Sequence, residues 1–274
     1  MPLLPYILGG LGVLGIAWLA SRDNEAKGQP AKLPGPRPSP QPPQPSPPST
    51  QGLRGPPGEP MEPVIIQRHG GGGTGPQGTR RPGDLRGATV HFAAGTQGGE
   101  LENVLYELKK AGLDYNAAVP RSGKIVELMP PSAIAPHAHV AKGAGHSVAG
   151  SNNRHTLGLA FLNTGWSPRE RPGWIPGPPP PQNVLERALA NRVISSTDID
   201  QVWWEPYTVP QLEGAARYLA KVFFEAHVLQ PEIWGHGELA GWKADPGPAF
   251  PMVRFKRRVQ ELIEARKLAA RKTA

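Results

Sequence analysis

Fourteen prolines crowd into the thirty-four positions from Pro30 to Pro63, and no other feature restricts the possible folds of this chain so sharply. Proline has no amide hydrogen and a fixed φ, so it interrupts helix interiors and central strands alike. The segment, with LPGPRPSPQPPQPSPPST at its centre, reads as an extended polyproline II spacer that cannot offset the entropy of ordering by burial. Glycine extends the restriction, because six of the nine residues from Gly70 to Gly78 are Gly. Seven more prolines fall between Pro168 and Pro181. With 35 Pro and 34 Gly among 274 residues, the composition as a whole borders on that of a disordered chain. Sorted by position, the excess leaves a stretch of ordinary composition from about Arg86 to Arg266. That is enough for one domain with a sizeable core, and it argues against a two-domain enzyme.

Ahead of the spacer, Leu3 to Ala20 is an eighteen-residue run without a charge, at the lower limit for a helix that crosses a bilayer. An uncleaved anchor, a cleaved signal peptide and a buried core helix are the three readings. The anchor is favoured, because no basic residue precedes the run and Trp18 stands three residues before any cut after Ala20. Its orientation stays open, since Arg22 and Lys27 are offset by Asp23 and Glu25. Extended at about 3.1 Å per residue, Gly28 to Pro63 reaches roughly 110 Å at most, a spacer that holds a domain off a membrane surface. The PxxP spacings also fit an SH3 or WW ligand. The expected organisation is an anchor over residues 1–21, a Pro/Gly-rich linker over 22–85, a folded domain over 86–252 with an insertion at about 164–206, and a basic C-terminal helix over 253–274.

The chain has no cysteine, which excludes a disulfide framework, a thiolate metal cluster and a cysteine nucleophile. Any metal site must therefore draw on His and carboxylates. The net charge of +8 arises largely at the C-terminus, where Arg254, Lys256, Arg257, Arg258, Arg266, Lys267, Arg271 and Lys272 lie. No helix-turn-helix, zinc-finger or RNA-binding signature accompanies that charge, and no nucleic-acid partner is expected.

Within the domain, Ala88 to Ala94 has strand character, and Leu101, Val104, Leu105 and Leu108 recur with helical spacing up to a stop at Gly112. Asn116 to Val119 and Lys124 to Leu128 flank Arg121-Ser122-Gly123 as a hairpin. Leu157 to Leu162 is an apolar run of strand length, and a helix is expected around Val184 to Arg192. Thr208 and Gln211 have capping-box spacing at the head of a further helix, with Pro210 in its first turn. Ile233-Trp234 is a short strand, and Phe255, Val259, Leu262 and Ile263 mark one face of a final helix. Strands mixed with helices in this order predict an α/β fold with a single mixed β-sheet flanked by helices.

Two histidines and one carboxylate can form a catalytic zinc set that leaves a fourth position open. His91 in the first strand, His236 after Ile233-Trp234 and Asp245 nine residues on make such a set. With eight histidines in the chain, the spacing alone is a weak signal, and ordinary surface or core histidines with satisfied hydrogen bonds are the competing reading.

The order of segments is more specific. Thr89-Val90-His91-Phe92-Ala93-Ala94 with Thr96, Leu113 to Gly123, Asn153-Arg154-His155-Thr156-Leu157-Gly158, Tyr207-Thr208-Val209-Pro210-Gln211 and Lys243-Ala244-Asp245-Pro246-Gly247-Pro248-Ala249-Phe250 together resemble the zinc-dependent N-acetylmuramoyl-L-alanine amidases. That family includes phage lysozyme-type amidases and peptidoglycan recognition proteins. The resemblance spans about residues 86–252 and implies the peptidoglycan recognition protein fold. It also implies Zn2+ held by His91, His236 and Asp245, with Tyr115 and Lys243 catalytic and His146 and Asn153 at the substrate. The implied reaction is hydrolysis, by zinc-activated water, of the amide between N-acetylmuramic acid and the L-alanine of the stem peptide.

The alternatives are a non-catalytic peptidoglycan-binding module and a structural membrane component of a virion. The expected setting is a membrane-anchored domain facing the periplasm and its peptidoglycan, on a phage virion membrane or a bacterial inner membrane, in a lytic or virion-associated role. The oligomeric state is left open. Compact phage members of the family have a shorter connection where this chain has residues 164–206. Its tryptophans and prolines are read either as a lip that grips glycan or as an insertion packed on its own domain, the second being preferred.

Overall fold

The computed structural model describes residues 62–68, 75–93, 101–138 and 152–273. The apolar run at Leu3 to Ala20, almost all of the proline spacer and His146 lie outside these residues. Among the described residues, no helix is long and apolar enough to cross a membrane.

Among the described residues, nine strands and six helices follow one another as β1 (Ile65–Gln67), β2 (Gly87–Phe92), α1 (Leu101–Ala111), β3 (Ala117–Val119), β4 (Ile125–Glu127), α2 (Asn152–His155), β5 (Thr156–Phe161), β6 (Trp166–Ser167), β7 (Ile175–Gly177), α3 (Gln182–Ala190), β8 (Val202–Trp204), α4 (Val209–Glu225), β9 (Glu232–Gly235), α5 (His236–Leu239) and α6 (Met252–Thr273). Six strands form the central sheet in the order β1-β4-β3-β5-β2-β9. Pairing is parallel except between β3 and β4, the hairpin that Gly123 closes at a φ of 77°.

The centre of the sheet is buried on both faces, as parallel strands covered by helices must be. Every residue of β2 and β5 is buried. Strand alternation then sorts them. Ala88, Val90, Leu157, Leu159 and Phe161 face a core made with α4 and α6. Ala93, Ala118 and Ala160 face the opposite core, made with Val104, Leu105 and Leu108 of α1. The capping box at Thr208 and Gln211 forms as its spacing demands, with the Gln211 amide hydrogen bonded to Thr208 Oγ1 at 3.2 Å. Gln211 reaches further, because its Nε2 donates to the carbonyls of Val119 and Leu162 and ties α4 to the ends of two strands.

Three features differ from the sequence reading. The central sheet starts at β1, inside the stretch read as linker, because Ile65 to Gln67 pair in register with Ile125 to Glu127. Helix α6 belongs to the domain, since Phe255, Val259, Leu262 and Ile263 are buried in the core shared with α4. The sheet is also not single. Residues 164–206 carry a second, three-stranded sheet ordered β6-β8-β7, packed through Trp204, Val202 and Val184 against Phe92 and Ala244. Trp204 is only 2% exposed, so this tryptophan is core and unavailable to grip glycan.

Candidate active site

The central pair of the site is set by strand register. β2 and β9 are parallel neighbours whose last paired residues are Val90 and Gly235, so His91 and His236 follow side by side. Their rings lie with centroids 4.5 Å apart. Asp245 reaches them from the loop after α5, with Oδ2 at 2.8 Å from His91 Nδ1 and 3.0 Å from His236 Nδ1. That loop is held at several points. The Gly237 amide donates to the Asp245 carbonyl at 2.7 Å, and Tyr207 Oη donates to the Pro246 carbonyl at 2.8 Å. Gly247 adopts a φ of 76°, and a Cβ there would sit 2.3 Å from the Trp204 ring, so only glycine allows the close approach.

All three side chains are buried, and one ligand atom from each lies within 4.8 Å of the others, so together they could hold a metal ion. In a tetrahedral zinc site with bonds near 2.0–2.1 Å, neighbouring ligand atoms are about 3.3 Å apart, and Asp245 Oδ2 lies at 2.8 and 3.0 Å from the two Nδ1 atoms. His236 Nε2 and Asp245 Oδ1 are buried without a hydrogen-bond partner among the described residues, an expensive state for polar atoms in a site that holds nothing. Protonation is also suited to ligation. Burial, reinforced by the neighbouring His236, pulls His91 down to about 4. Burial alone would raise Asp245, but His236 and His91 overcome it and hold the carboxyl far below its usual range. The donor set is thus a neutral imidazole and an ionised carboxylate, joined by His236.

Around the three lie the groups that chemistry would use. Tyr115 is 1% exposed, with its ring centroid 4.9 Å from that of His91. Burial, with Asp245 and Asp114 adding to it, pushes its phenol far above the ordinary value, so it stays an O–H donor at any working pH. Lys243 is half-buried, and burial pulls its ammonium down despite Asp245, which favours the charged form.

Asn153 lies beside His137, and its carboxamide is already engaged: Oδ1 accepts from the amides of Ala138 at 2.8 Å and His137 at 3.3 Å, and Nδ2 donates to Gln77 Oε1 at 3.3 Å. Beneath it, the buried Arg80 guanidinium donates to the carbonyls of Pro131, Ala133, Asn153, Arg154 and Thr156 and binds the two loops together. Asn116 adds to the same seam, donating to the Pro130 and Ala133 carbonyls and accepting from the Gly158 amide.

One residue escaped the sequence reading. His137 is buried, its Nδ1 is 3.2 Å from His91 Nε2, and burial, with His91 next, holds it well below its usual value. The reading looked instead to His146, nearer in sequence to Asn153. A signal for His137 did exist in Gly158, in the interior of β5. A Cβ there would meet the His137 ring at 2.4 Å, and glycine inside a strand marks such close approaches.

Residues 81–248 match the profile of the N-acetylmuramoyl-L-alanine amidase family, well over half of the chain. The chain belongs to that family. The matched span contains both histidines, Asp245, Tyr115, Lys243 and the whole insertion. Among solved amidase structures, AmiD from Escherichia coli, in complex with anhydro-N-acetylmuramic acid-L-Ala-D-γ-Glu-L-Lys, is similar at 16% identity with a TM-score of 0.46, over 66% of this chain and 59% of AmiD. AmpDh3 from Pseudomonas aeruginosa, in complex with anhydromuramic pentapeptide, gives 16% identity and a TM-score of 0.45, over 66% of this chain and 62% of AmpDh3. The endolysin LysCS from Clostridium intestinale gives 12% identity and a TM-score of 0.43, over 73% of this chain and 98% of LysCS. The chain thus spans less than two thirds of AmiD and of AmpDh3. Comparison with curated proteins finds no match.

Proposed function

We propose that the protein is a zinc-dependent N-acetylmuramoyl-L-alanine amidase that cleaves the bond between the lactyl group of N-acetylmuramic acid and the L-alanine of a peptidoglycan stem peptide. The observation that carries the reading is the buried, converging set of His91, His236 and Asp245 inside a matched amidase span. When bound there, zinc supplies Lewis acidity and lets water ionise near pH 7. His91, His236 and Asp245 would hold the ion. Tyr115 keeps its proton and orients the attacking water or the scissile carbonyl by donating a hydrogen bond. The Lys243 ammonium stabilises negative charge that develops on the carbonyl oxygen, a role that its half-buried position strengthens. The whole stem peptide leaves, its L-alanine nitrogen departing as the amine after taking up a proton that the attacking water gives up. The substrate class is that of the fragment bound by AmiD, in which γ-linked glutamate leaves its α-carboxylate free.

The test is release of stem peptides with free L-alanine amines from purified sacculi. The full chain releases them, a chelator stops the release and added zinc restores it. Tight binding to sacculi without release would instead identify a binding module.

The setting is part of the same proposal. The eighteen uncharged residues from Leu3 to Ala20 and the proline spacer support a membrane-tethered enzyme that reaches the wall, in a phage lytic or virion-associated role. Recovery of the full chain in the soluble fraction after expression in bacteria would remove the tether from this picture.

A further inference from the structure

His137 stands outside the metal set, yet its ring meets that of His91 edge to face at 82°. His137 Nδ1 is 3.2 Å from His91 Nε2, and the other nitrogen of His91 is the one beside Asp245. The ring is held there by the chain around it. The Pro136 carbonyl accepts from the Asp114 amide at 3.2 Å, and Asn153 Oδ1 accepts from the amides of His137 and Ala138. Gly158 leaves the space, since a Cβ there would meet the ring at 2.4 Å.

The hydrogen bonds around His137 fix where its hydrogen lies. Nε2 is 3.3 Å from the Thr156 carbonyl oxygen and 3.3 Å from Thr156 Oγ1. The carbonyl can only accept. The hydroxyl gives its one hydrogen to the Asn152 carbonyl at 2.7 Å and accepts from Thr89 Oγ1 at 3.1 Å, so it too offers His137 only a lone pair. His137 Nε2 therefore carries a hydrogen. The ring is 2% exposed and none of these partners is a carboxylate, so it is neutral and its Nδ1 is an acceptor. Facing that acceptor, His91 Nε2 must donate. A neutral His91 with its hydrogen on Nε2 has a bare Nδ1, and that atom lies 2.8 Å from Asp245 Oδ2. Two acceptors so close are stable against a cation, and a bare nitrogen is what a metal requires of an imidazole.

We propose that His137 is a positioning residue, which holds His91 in the tautomer that presents an unprotonated Nδ1 beside Asp245. The proposal rests on the zinc reading of the site and deepens it. Strand register places the His91 ring, and the run from the Asn152 carbonyl through Thr156 and His137 decides which of its nitrogens bears hydrogen. Without His137, His91 can move that hydrogen to Nδ1 and donate to Asp245, which closes the pair to a cation. A carboxylate or a backbone carbonyl is the usual acceptor behind a ligand histidine. An uncharged imidazole in that place orients His91 without adding a second buried negative charge.

The experiment uses the full chain with zinc alone and reads two quantities that do not depend on turnover. In nitrogen NMR of the zinc-loaded protein with isotope-labelled histidine, His91 and His137 should each carry hydrogen on Nε2, with a coupling across the bond from His91 Nε2 to His137 Nδ1. Zinc affinity, measured by competition with a chelator, separates this role from packing. His137→Leu fills the space but makes no hydrogen bond, and should bind zinc roughly 10–100-fold more weakly. His137→Gln offers both an acceptor and a donor and should recover most of that loss. Packing alone predicts the opposite ranking, because Gln buries a polar amide where Leu buries none. A hydrogen on His137 Nδ1, a folded His137→Leu protein that binds zinc as tightly as the unaltered chain, or a His137→Gln protein no tighter than His137→Leu would overturn the proposal. If His137→Leu does not fold, the spectrum of the unaltered chain decides. An unaltered chain that binds no zinc would instead bring down the metal reading, and this assignment with it.

Discussion

His91 stands in β2 and His236 directly follows the adjacent parallel strand β9, whereas Asp245 hangs from a loop that residues 164–206 brace. The two histidines need no support beyond the sheet. Backbone register places them, and the buried strands β2 and β5 hold that register. Asp245 depends on contacts from residues far away in sequence: the Trp204 ring against Gly247, the Tyr207 hydroxyl on the Pro246 carbonyl and the Asn183 amide on the Trp242 carbonyl. The contrast shows one site held in two ways, by strand register for its histidines and by packing of distant residues for its aspartate.

Changes on the sheet side should have the largest effect. His91→Ala or His236→Ala should abolish peptide release from sacculi and bound zinc measured by elemental analysis, and retained zinc with full activity would remove these ligands from the site. The insertion side is tested next by Trp204→Ala. Loss of this buried ring should cost about 3–5 kcal/mol of stability. It should also weaken zinc binding about tenfold although Trp204 touches no ligand. Unchanged zinc affinity in a titration would show that the loop does not need its brace. Tyr115→Phe, again on the sheet side, should keep zinc and slow turnover by about 10².

Acid should separate the halves further, because residues 164–206 contain no histidine. His91 is held at about 4, against an ordinary value near 6.5. Between those limits the unfolded chain binds a proton that the folded chain refuses, so stability of the metal-free protein is lost as pH falls through that window. The slope approaches about 1.4 kcal/mol per pH unit for each such histidine, and His137 acts in the same direction. Urea midpoints of chelated protein at pH 7 and pH 5 measure it, and equal midpoints would contradict a buried neutral pair. The smallest effect belongs to Tyr207→Phe, which removes one hydrogen bond to the ligand loop and should cost about 1 kcal/mol in a melting experiment.

The reading of these elements from sequence succeeded where the signal is local. The strand around His91, the hairpin at Gly123, the capping box at Thr208 and Gln211, and the apolar face of α6 all depend on residues a few positions apart, and each is found in the structure. It faltered where partners are distant. β1 is three residues long and gains strand character only by pairing with β4, so composition placed it in the linker. His137 owes its place to Gly158 and to the loop that Arg80 and Asn116 pin, and none of these is its neighbour in sequence.

By itself, the sequence determined the chemistry available: no thiol, and histidines and carboxylates as the donors for any metal. Residue types settle that much, and the family resemblance named His91, His236, Asp245, Tyr115 and Lys243 among them. Only the tertiary structure decided which histidine joins the site as its third imidazole and how Trp204 came to support the Asp245 loop instead of facing solvent. Those outcomes depend on which surfaces meet after burial, and burial is a property of the assembled sheet and helices, which no single segment carries.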